Sequence, residues 1–372
     1  MTRRPPAKKR IVVFSSSYGG ASHRAAEAIA AYYRRRCADA VDITVIDPLE
    51  QCMPNVNVLA KFAYQQAAEF FPAGRGQLAD LARRDPQNQV VAGLSAGGLT
   101  RVAAILTEHG ADVVISTSPI AAGIAAELSS DLPLSAVHVV TDFDGRDSWI
   151  HPRTALFFVS CREVRDELAV AGTPWDRIIV SGIPLAEKFE TDGTGPGLRS
   201  YLGIADRFTA LLLATASPQV DSDDMASQLA GAGIQVMAAA GANARVQRRL
   251  IAVSENTPLV RVFGFTEEMP ALMRGSDVLV AHAGGIALAE SLAVGLPLVI
   301  LGPVPSRETR NVDALMNNGA ALLSRDEVDA VEKVKFLSTH PERLTQMVAN
   351  AGTLGRPGAV QTICERVLAL AR

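Results

Sequence analysis

The stretch Val278–Pro303, VLVAHAGGIALAESLAVGLPLVILGP, reads as a strand, a glycine turn, a helix and a second strand. Val278–Ala281 is a short apolar run, as expected of a strand in a parallel sheet covered by helices on both faces. Gly284 and Gly285 open the helix, and Gly295 closes it ahead of the next apolar run. One histidine, His282, stands at the turn, and one glutamate, Glu290, interrupts the alanines and leucines of the helix. A helix that only packs needs none of these features.

Outward from this unit the same rhythm repeats. The runs RIVVFSS, DITVIDP, DVVISTS, LSAVHVVTD, ALFFVS and RIIVSG alternate with alanine-rich helical stretches in the first half. FTALLLATA, IQVMAAAG, PLVRVFG, DVLVAH and LPLVIL do so in the second. Alternation of this kind specifies βαβ units and an α/β fold. Residues 186–207 are polar and glycine-rich, which suits a linker with one short helix. The expectation is two doubly wound Rossmann-like domains facing each other across a cleft. Residues 1–185 form the first, 186–207 the linker, and 208–351 the second. A C-terminal helix within 352–372 can pack back on the first domain. Residues 50–93 break the rhythm: Val58, Phe62, Tyr64, Phe70 and Phe71 recur at helical spacing with no strand between. They fit an amphipathic insertion facing an apolar acceptor or a membrane, or else a plain core-facing helix pair.

Composition narrows the class. A chain of 372 residues with 48% hydrophobic content and net charge −3 is a folded globular protein of about two domains, not a general polyanion binder. Cys37, Cys52, Cys161 and Cys364 share no metal-ligand spacing and read as reduced thiols of a cytoplasmic protein. No apolar run reaches the roughly 18–20 residues that span a bilayer. The opening MTRRPPAKKR carries five Lys/Arg, a solvated tail or a weak attraction to anionic lipid.

Ligands in doubly wound sheets bind at the carboxyl ends of strands. The first strand ends in SSSYGGASHRAAEAIA. Its turn, with Gly19 and Gly20, leaves backbone N–H groups free at a helix start, and Ser22 can cap that helix. His23 sits in the first helical turn, where a side chain titrating near neutrality can take a proton from an attacking hydroxyl. Asp142, at the end of a neighbouring strand, can orient His23 or simply cap its own loop. In the second half, Gly284 and Gly285 likewise open a helix just after a strand.

The stretch GFTEEMPALMRGSDVLVAHAGGIALAESLAVGLPLVILGPVPSRETRNVDALMNNGAAL resembles the donor site of GT-B glycosyltransferases. It is most similar to the monogalactosyldiacylglycerol synthase and processive diacylglycerol glucosyltransferase group, which is glycosyltransferase family 28-like. The loop ending in His23, the segment HVVTDFDGRDSWIHP and the segment RIIVSGIPLAEKF extend the resemblance over nearly the whole chain. It implies that Gly264, Phe265 and Met269 lie where the base is held by backbone amides. It implies that His282 stands against the diphosphate and Glu290 takes the ribose hydroxyls. It implies that Glu308 and Asn311 meet the donor sugar and the phosphate region.

The chain departs from the group at several points. AHAGG stands where a Lys-Pro pair is usual, and Ser22 where a glycine is favoured. ATASPQ replaces a glycine-rich loop, Ser306–Arg307 replaces Gly-Gln, and Arg146–Asp147 stand near the site of a histidine.

What the resemblance implies is inverting, metal-independent hexosyl transfer from a UDP-sugar co-substrate to a hydroxyl of a lipid or other hydrophobic acceptor. No cofactor, metal or nucleic-acid partner is expected, although Asp142 and Asp144 happen to be spaced as an Asp-x-Asp pair. The expected location is cytoplasmic, with peripheral contact to an anionic membrane at its inner face. The alternatives are a natural-product glycosyltransferase, a UDP-sugar 2-epimerase, and an inactive nucleotide-sugar-binding relative.

Overall fold

A computed structural model describes residues 8–16, 20–52, 96–145, 150–191, 197–214, 221–304 and 308–371. The basic tail up to residue 7, Gly19, nearly all of the helical insertion, Arg146–Trp149, the ATASPQ loop and Arg307 lie outside these residues. The chain divides into two compact units, which meet in sequence between Glu187 and Lys188, and residues from Gly358 onward belong to the first unit.

In the first unit the strands are Lys9–Phe14 (β1), Val41–Ile46 (β2), Val113–Ser116 (β3), Ser135–Val139 (β4), Leu156–Val159 (β5) and Ile178–Val180 (β6). Its helices are Gly20–Arg36 (α1), Pro48–Cys52 (α2), Ala96–His109 (α3), Pro119–Leu128 (α4) and Arg162–Val170 (α5), with Ala359–Leu368 returning from the far end of the chain. The strands form one parallel sheet in the order β2-β1-β3-β4-β5-β6. Its central strands are buried on both faces. Ile11 and Val13 of β1 point into one apolar cluster and Val12 and Phe14 into another, so side-chain alternation feeds two helical layers at once.

The returning helix has a clear packing reason. Val360, Ile363, Cys364 and Val367 face one side and join Ile29 and Tyr33 in the first cluster. The Tyr33 hydroxyl, fully buried, donates to the Cys364 carbonyl at 2.9 Å. Lys9 Nζ donates to the Ala371 carbonyl at 2.8 Å. Each large apolar side chain buried there stabilises the unit by about 1.5–3 kcal/mol.

In the second unit the strands are Thr209–Leu213 (β7), Gln235–Ala239 (β8), Val260–Phe263 (β9), Val278–Ala281 (β10), Leu298–Ile300 (β11) and Ala321–Leu323 (β12). After two short helices, Glu187–Glu190 (α6) and Leu198–Tyr201 (α7), come Ser222–Gly231 (α8), Ala244–Asn256 (α9), Met269–Arg274 (α10) and Gly285–Ala293 (α11). They are followed by Thr309–Asn317 (α12), Glu327–Thr339 (α13) and Pro341–Leu354 (α14), which leaves the returning helix as α15. The sheet is again parallel, in the order β12-β11-β10-β7-β8-β9.

All eleven strands expected from the sequence are present, and a twelfth, β12, was not among them. Its Ala-Leu-Leu has no β-branched residue and reads as readily as helix, unlike the equally short β6 and β11. The polar segment 186–207 carries two short helices where one was expected. Arg274 explains the first: its guanidinium donates to the carbonyls of Lys188, Phe189 and Thr191 at the helix end, satisfying acceptors that a four-residue helix leaves bare.

Each sheet reverses its strand order once, between β1 and β3 in the first unit and between β7 and β10 in the second. Chain crossovers leave on opposite sides at these points and open a crevice at the carboxyl ends. The β1–α1 turn and the β10–α11 turn lie there.

Candidate functional site

In the first unit, α1 is anchored by its third residue. Ser22 is buried, and its hydroxyl accepts the Ser16 N–H at 3.0 Å, just beyond β1. Ser22 Oγ lies 2.8 Å from Thr117 Oγ1, just beyond β3. Ser22 therefore ties the helix to the strand ends, where a helix cap was expected of it. The following residue, His23, is exposed, and Gly20 meets no described atom within 4 Å of where a Cβ would stand. His23 thus rises from a fixed turn into open space.

Asp142 follows β4, which is separated from β1 by β3. The expectation of a neighbouring strand is corrected by one strand's width. The loop that carries Asp142 is pinned twice. Ser160 Oγ donates to the Asp142 carbonyl at 2.9 Å, and Gly145 N–H donates to a Glu167 carboxylate oxygen at 2.8 Å. Asp144, which shares the Asp-x-Asp spacing, is buried. Among the described residues no three His, Cys, Asp or Glu side chains are grouped to hold a metal ion.

In the second unit, β10 ends at Ala281 and the chain turns through His282, Ala283 and Gly284 into α11. Gly284 is the N-cap at φ −75° and ψ 127°, with no side-chain cap. Among the described residues no atom comes within 4 Å of where its Cβ would stand. Among the described residues the first amides of α11 therefore have no side-chain cap at the positive end of the helix. Asn311, buried on α12, donates its side-chain N–H to the Ala283 carbonyl at 3.0 Å and holds the turn from behind. At the other end Gly295 takes φ +71°, with Leu296 N–H donating to Ser291 O and Gly295 N–H to Leu292 O. This Schellman closure needs a left-handed residue, which is why the helix ends at a glycine.

Glu290 is only 3% exposed, so it is not the surface helix residue that its exposed-face alternative required. His282 is mostly buried, and its Nε2 has no hydrogen-bond partner among the described residues. Burial holds its pKa below the ordinary imidazole value, against the opposing pull of the Glu308 carboxylate and a Leu301 backbone hydrogen bond. The neutral ring is thereby favoured, and an arriving negative charge would raise its proton affinity. Glu308 is the half-buried N-cap residue of α12.

The remaining expected donor residues lie after β9. Gly264 backs onto the Gln247 side chain, and the Phe265 ring is 82% exposed. Met269 begins α10, ahead of Pro270. His282, Gly284, Gly285, Glu308 and Asn311 are thus gathered around one turn. Gly264, Phe265 and Met269 stand apart at the end of β9, two strands away from β7. Thr117, Ser160 and Glu167 were not anticipated. For Thr117 and Ser160 the only signal is a hydroxyl just beyond a strand, a pattern also found in ordinary turns, and Glu167 lies within α5 and reads like any exposed-face helix glutamate.

Two parallel sheets of Rossmann-like order, one with a glycine turn at a helix start, define a GT-B architecture. Comparison with known proteins agrees at two levels. Residues 22–185 match the monogalactosyldiacylglycerol (MGDG) synthase family, and residues 214–363 match the glycosyltransferase family 28 C-terminal domain. A processive diacylglycerol beta-glucosyltransferase of Bacillus cytotoxicus is 28% identical over 275 residues, 73% of this chain and 71% of that protein. The crystal structure of MurG from Acinetobacter baumannii shares the fold at TM-score 0.61 and 12% identity, covering 97% of this chain and 99% of the other. UDP-GlcNAc 2-epimerase from Neisseria meningitidis, bound to UDP-GlcNAc, does so at 0.62 and 15%, covering 97% and 100%. The chain belongs to the MGDG synthase and family 28 group of glycosyltransferases and is an enzyme of that class.

Proposed function

We propose that the enzyme moves a hexose from a UDP-sugar to a hydroxyl of a diacylglycerol-type lipid, with inversion and without a metal ion. The observation that carries this reading is the turn before α11, where a glycine N-cap with no side-chain cap and no described atom against its Cβ position stands near a mostly buried imidazole and a buried glutamate. A diphosphate fits such a turn because it brings the negative charge that the helix end and its N–H groups lack. Glu290 takes the ribose hydroxyls, the amides around Phe265 take the base, and Glu308 meets the sugar.

His23 removes the proton from the acceptor hydroxyl as that oxygen attacks the anomeric carbon. The bond from that carbon to the β-phosphate oxygen breaks, and UDP leaves with the electron pair. Asp142 steadies the imidazolium that results. Helix amides and His282 balance the charge of the departing UDP, which is the task a metal performs in other sites. The lipid acceptor is supported by the relatives' activity and by the apolar spacing of residues 58–71. The basic tail supports peripheral contact with an anionic membrane. Among the described residues no helix is long and apolar enough to cross a bilayer.

The test is incubation with UDP-glucose or UDP-galactose and vesicles containing diacylglycerol, followed by mass spectrometry of the lipids. Glycosylated diacylglycerol is the expected product. Epimerised sugar nucleotide formed without any acceptor, or UDP binding with no product from any acceptor, would replace this reading with one of its rivals.

A further inference from the structure

Thr117 is fully buried just beyond β3, the strand that separates β1 from β4. Its side chain serves the helix that carries His23. Thr117 Oγ1 lies 2.8 Å from Ser22 Oγ, 3.0 Å from the Ser22 carbonyl and 3.1 Å from the Phe14 carbonyl. Its backbone serves both neighbouring strands. The Thr117 N–H donates to the Phe14 carbonyl at 3.1 Å, and the Thr117 carbonyl accepts from Thr141 Oγ1 at 3.4 Å. Ser22 immediately precedes His23, and Thr141 immediately precedes Asp142.

We propose that Thr117 is a positioning residue for the transfer reaction, fixing His23 and Asp142 relative to each other through Ser22 and Thr141. This rests on the reading of His23 as the base. The donor count favours one arrangement: Ser16 N–H donates to Ser22 Oγ, Ser22 O–H to Thr117 Oγ1, and Thr117 O–H to a carbonyl of Ser22 or Phe14. Each hydroxyl then both gives and receives, which stiffens a buried chain. A valine at this position keeps the shape and removes the acceptor of the Ser22 hydroxyl. The bond from Ser22 and the bond that the Thr117 hydroxyl donates to a carbonyl of Ser22 or Phe14 are both lost, just where the base projects.

The experiment is a double-variant cycle of Thr117→Val and His23→Ala, with Thr117→Ser alongside, read by turnover, donor KM, UDP binding and unfolding temperature. Thr117→Val is expected to lower kcat about 10–100-fold, with donor KM and UDP affinity within about twofold, as for a misplaced base. Thr117→Ser should recover turnover to within about threefold, and Thr117→Val should add nothing in the His23→Ala background. A loss that multiplies in that background, unchanged turnover in Thr117→Val, or an equal loss in Thr117→Ser would overturn the inference while leaving the base in place. Should Thr117→Val fail to fold, Ser22→Ala takes its place in the same cycle with Ser22→Thr as the conservative partner, and the same outcomes decide. Wild-type turnover in His23→Ala would remove the base assignment itself, and the role of Thr117 with it.

Discussion

The two glycine turns at the strand-order reversals are built on opposite principles. At the first of them the start of α1 is held by side chains: Ser22 is bonded to Ser16 and Thr117 just ahead of His23. The β10–α11 turn is braced by the Asn311 amide on the Ala283 carbonyl, and among the described residues its helix start carries no side-chain cap. The difference follows from what each turn is asked to do. A proton is taken by one side chain in one orientation. A diphosphate is bound by several N–H groups at once, and any side chain in front of them is an obstruction. On the proposed reading, one fold supplies a base from a turn crowded from beneath by side-chain bonds and an anion cradle from one left without a side-chain cap.

That contrast is open to attack from both sides. Its severest test is His23→Ala, expected to lower turnover about 10²–10⁴-fold while UDP still binds; turnover at the wild-type level would leave the crowded turn without a purpose. Next in size is Glu290→Gln, a near-isosteric change that replaces a charged hydrogen bond to ribose by a neutral one. UDP affinity measured by calorimetry should weaken by roughly tenfold, about 1.4 kcal/mol. Gly284→Ala separates the two designs most cleanly. Its backbone lies at negative φ and its Cβ would meet no described atom, so the unfolding temperature should hold while UDP affinity falls by about tenfold. Unchanged UDP affinity would mean that the uncapped turn is not the cradle.

Two smaller effects concern what supports the uncapped turn. Asn311→Ala leaves the Ala283 carbonyl without its donor and should cost about 1–2 kcal/mol of stability in denaturant unfolding. His282 gives a pH signature. Its folded pKa is depressed by burial, so the unfolded chain binds a proton there first. Stability should fall as pH drops below about 6.5, the unfolded imidazole value, and level off once the folded ring is also protonated. His282→Gln should flatten that slope, and bound UDP should raise the titration point seen by NMR.

Sequence periodicity was sufficient where a strand was long and apolar. The runs at Ile11–Phe14 and Val278–Ala281 declare themselves, because a strand buried on both faces has no polar side to confuse the pattern. It failed at Ala321–Leu323, where no β-branched residue marks a strand, and at Glu187–Glu190, where Arg274 from far along the chain completes the helix end. The β10–α11 unit was legible for a related reason: Gly284, Gly285 and Glu290 are close in sequence and belong to one strand–helix unit. The acceptor-side support was not legible. Thr117 stands far from Ser22 in the chain, and a threonine after a strand is ordinarily a turn residue.

By itself the sequence determined the α/β class, the glycine-opened helix that closes at Gly295, and the placing of a histidine and a glutamate beside glycine turns, because all of these depend on neighbours within one strand–helix unit. Only the tertiary structure decided that β3 lies between the strands leading to His23 and Asp142, that Ser22 reaches back to Thr117, and that Glu290 is buried. Those outcomes depend on strand order and on hydroxyls meeting across the sheet, and hydrogen bonds between residues distant in the chain leave no periodic trace in it.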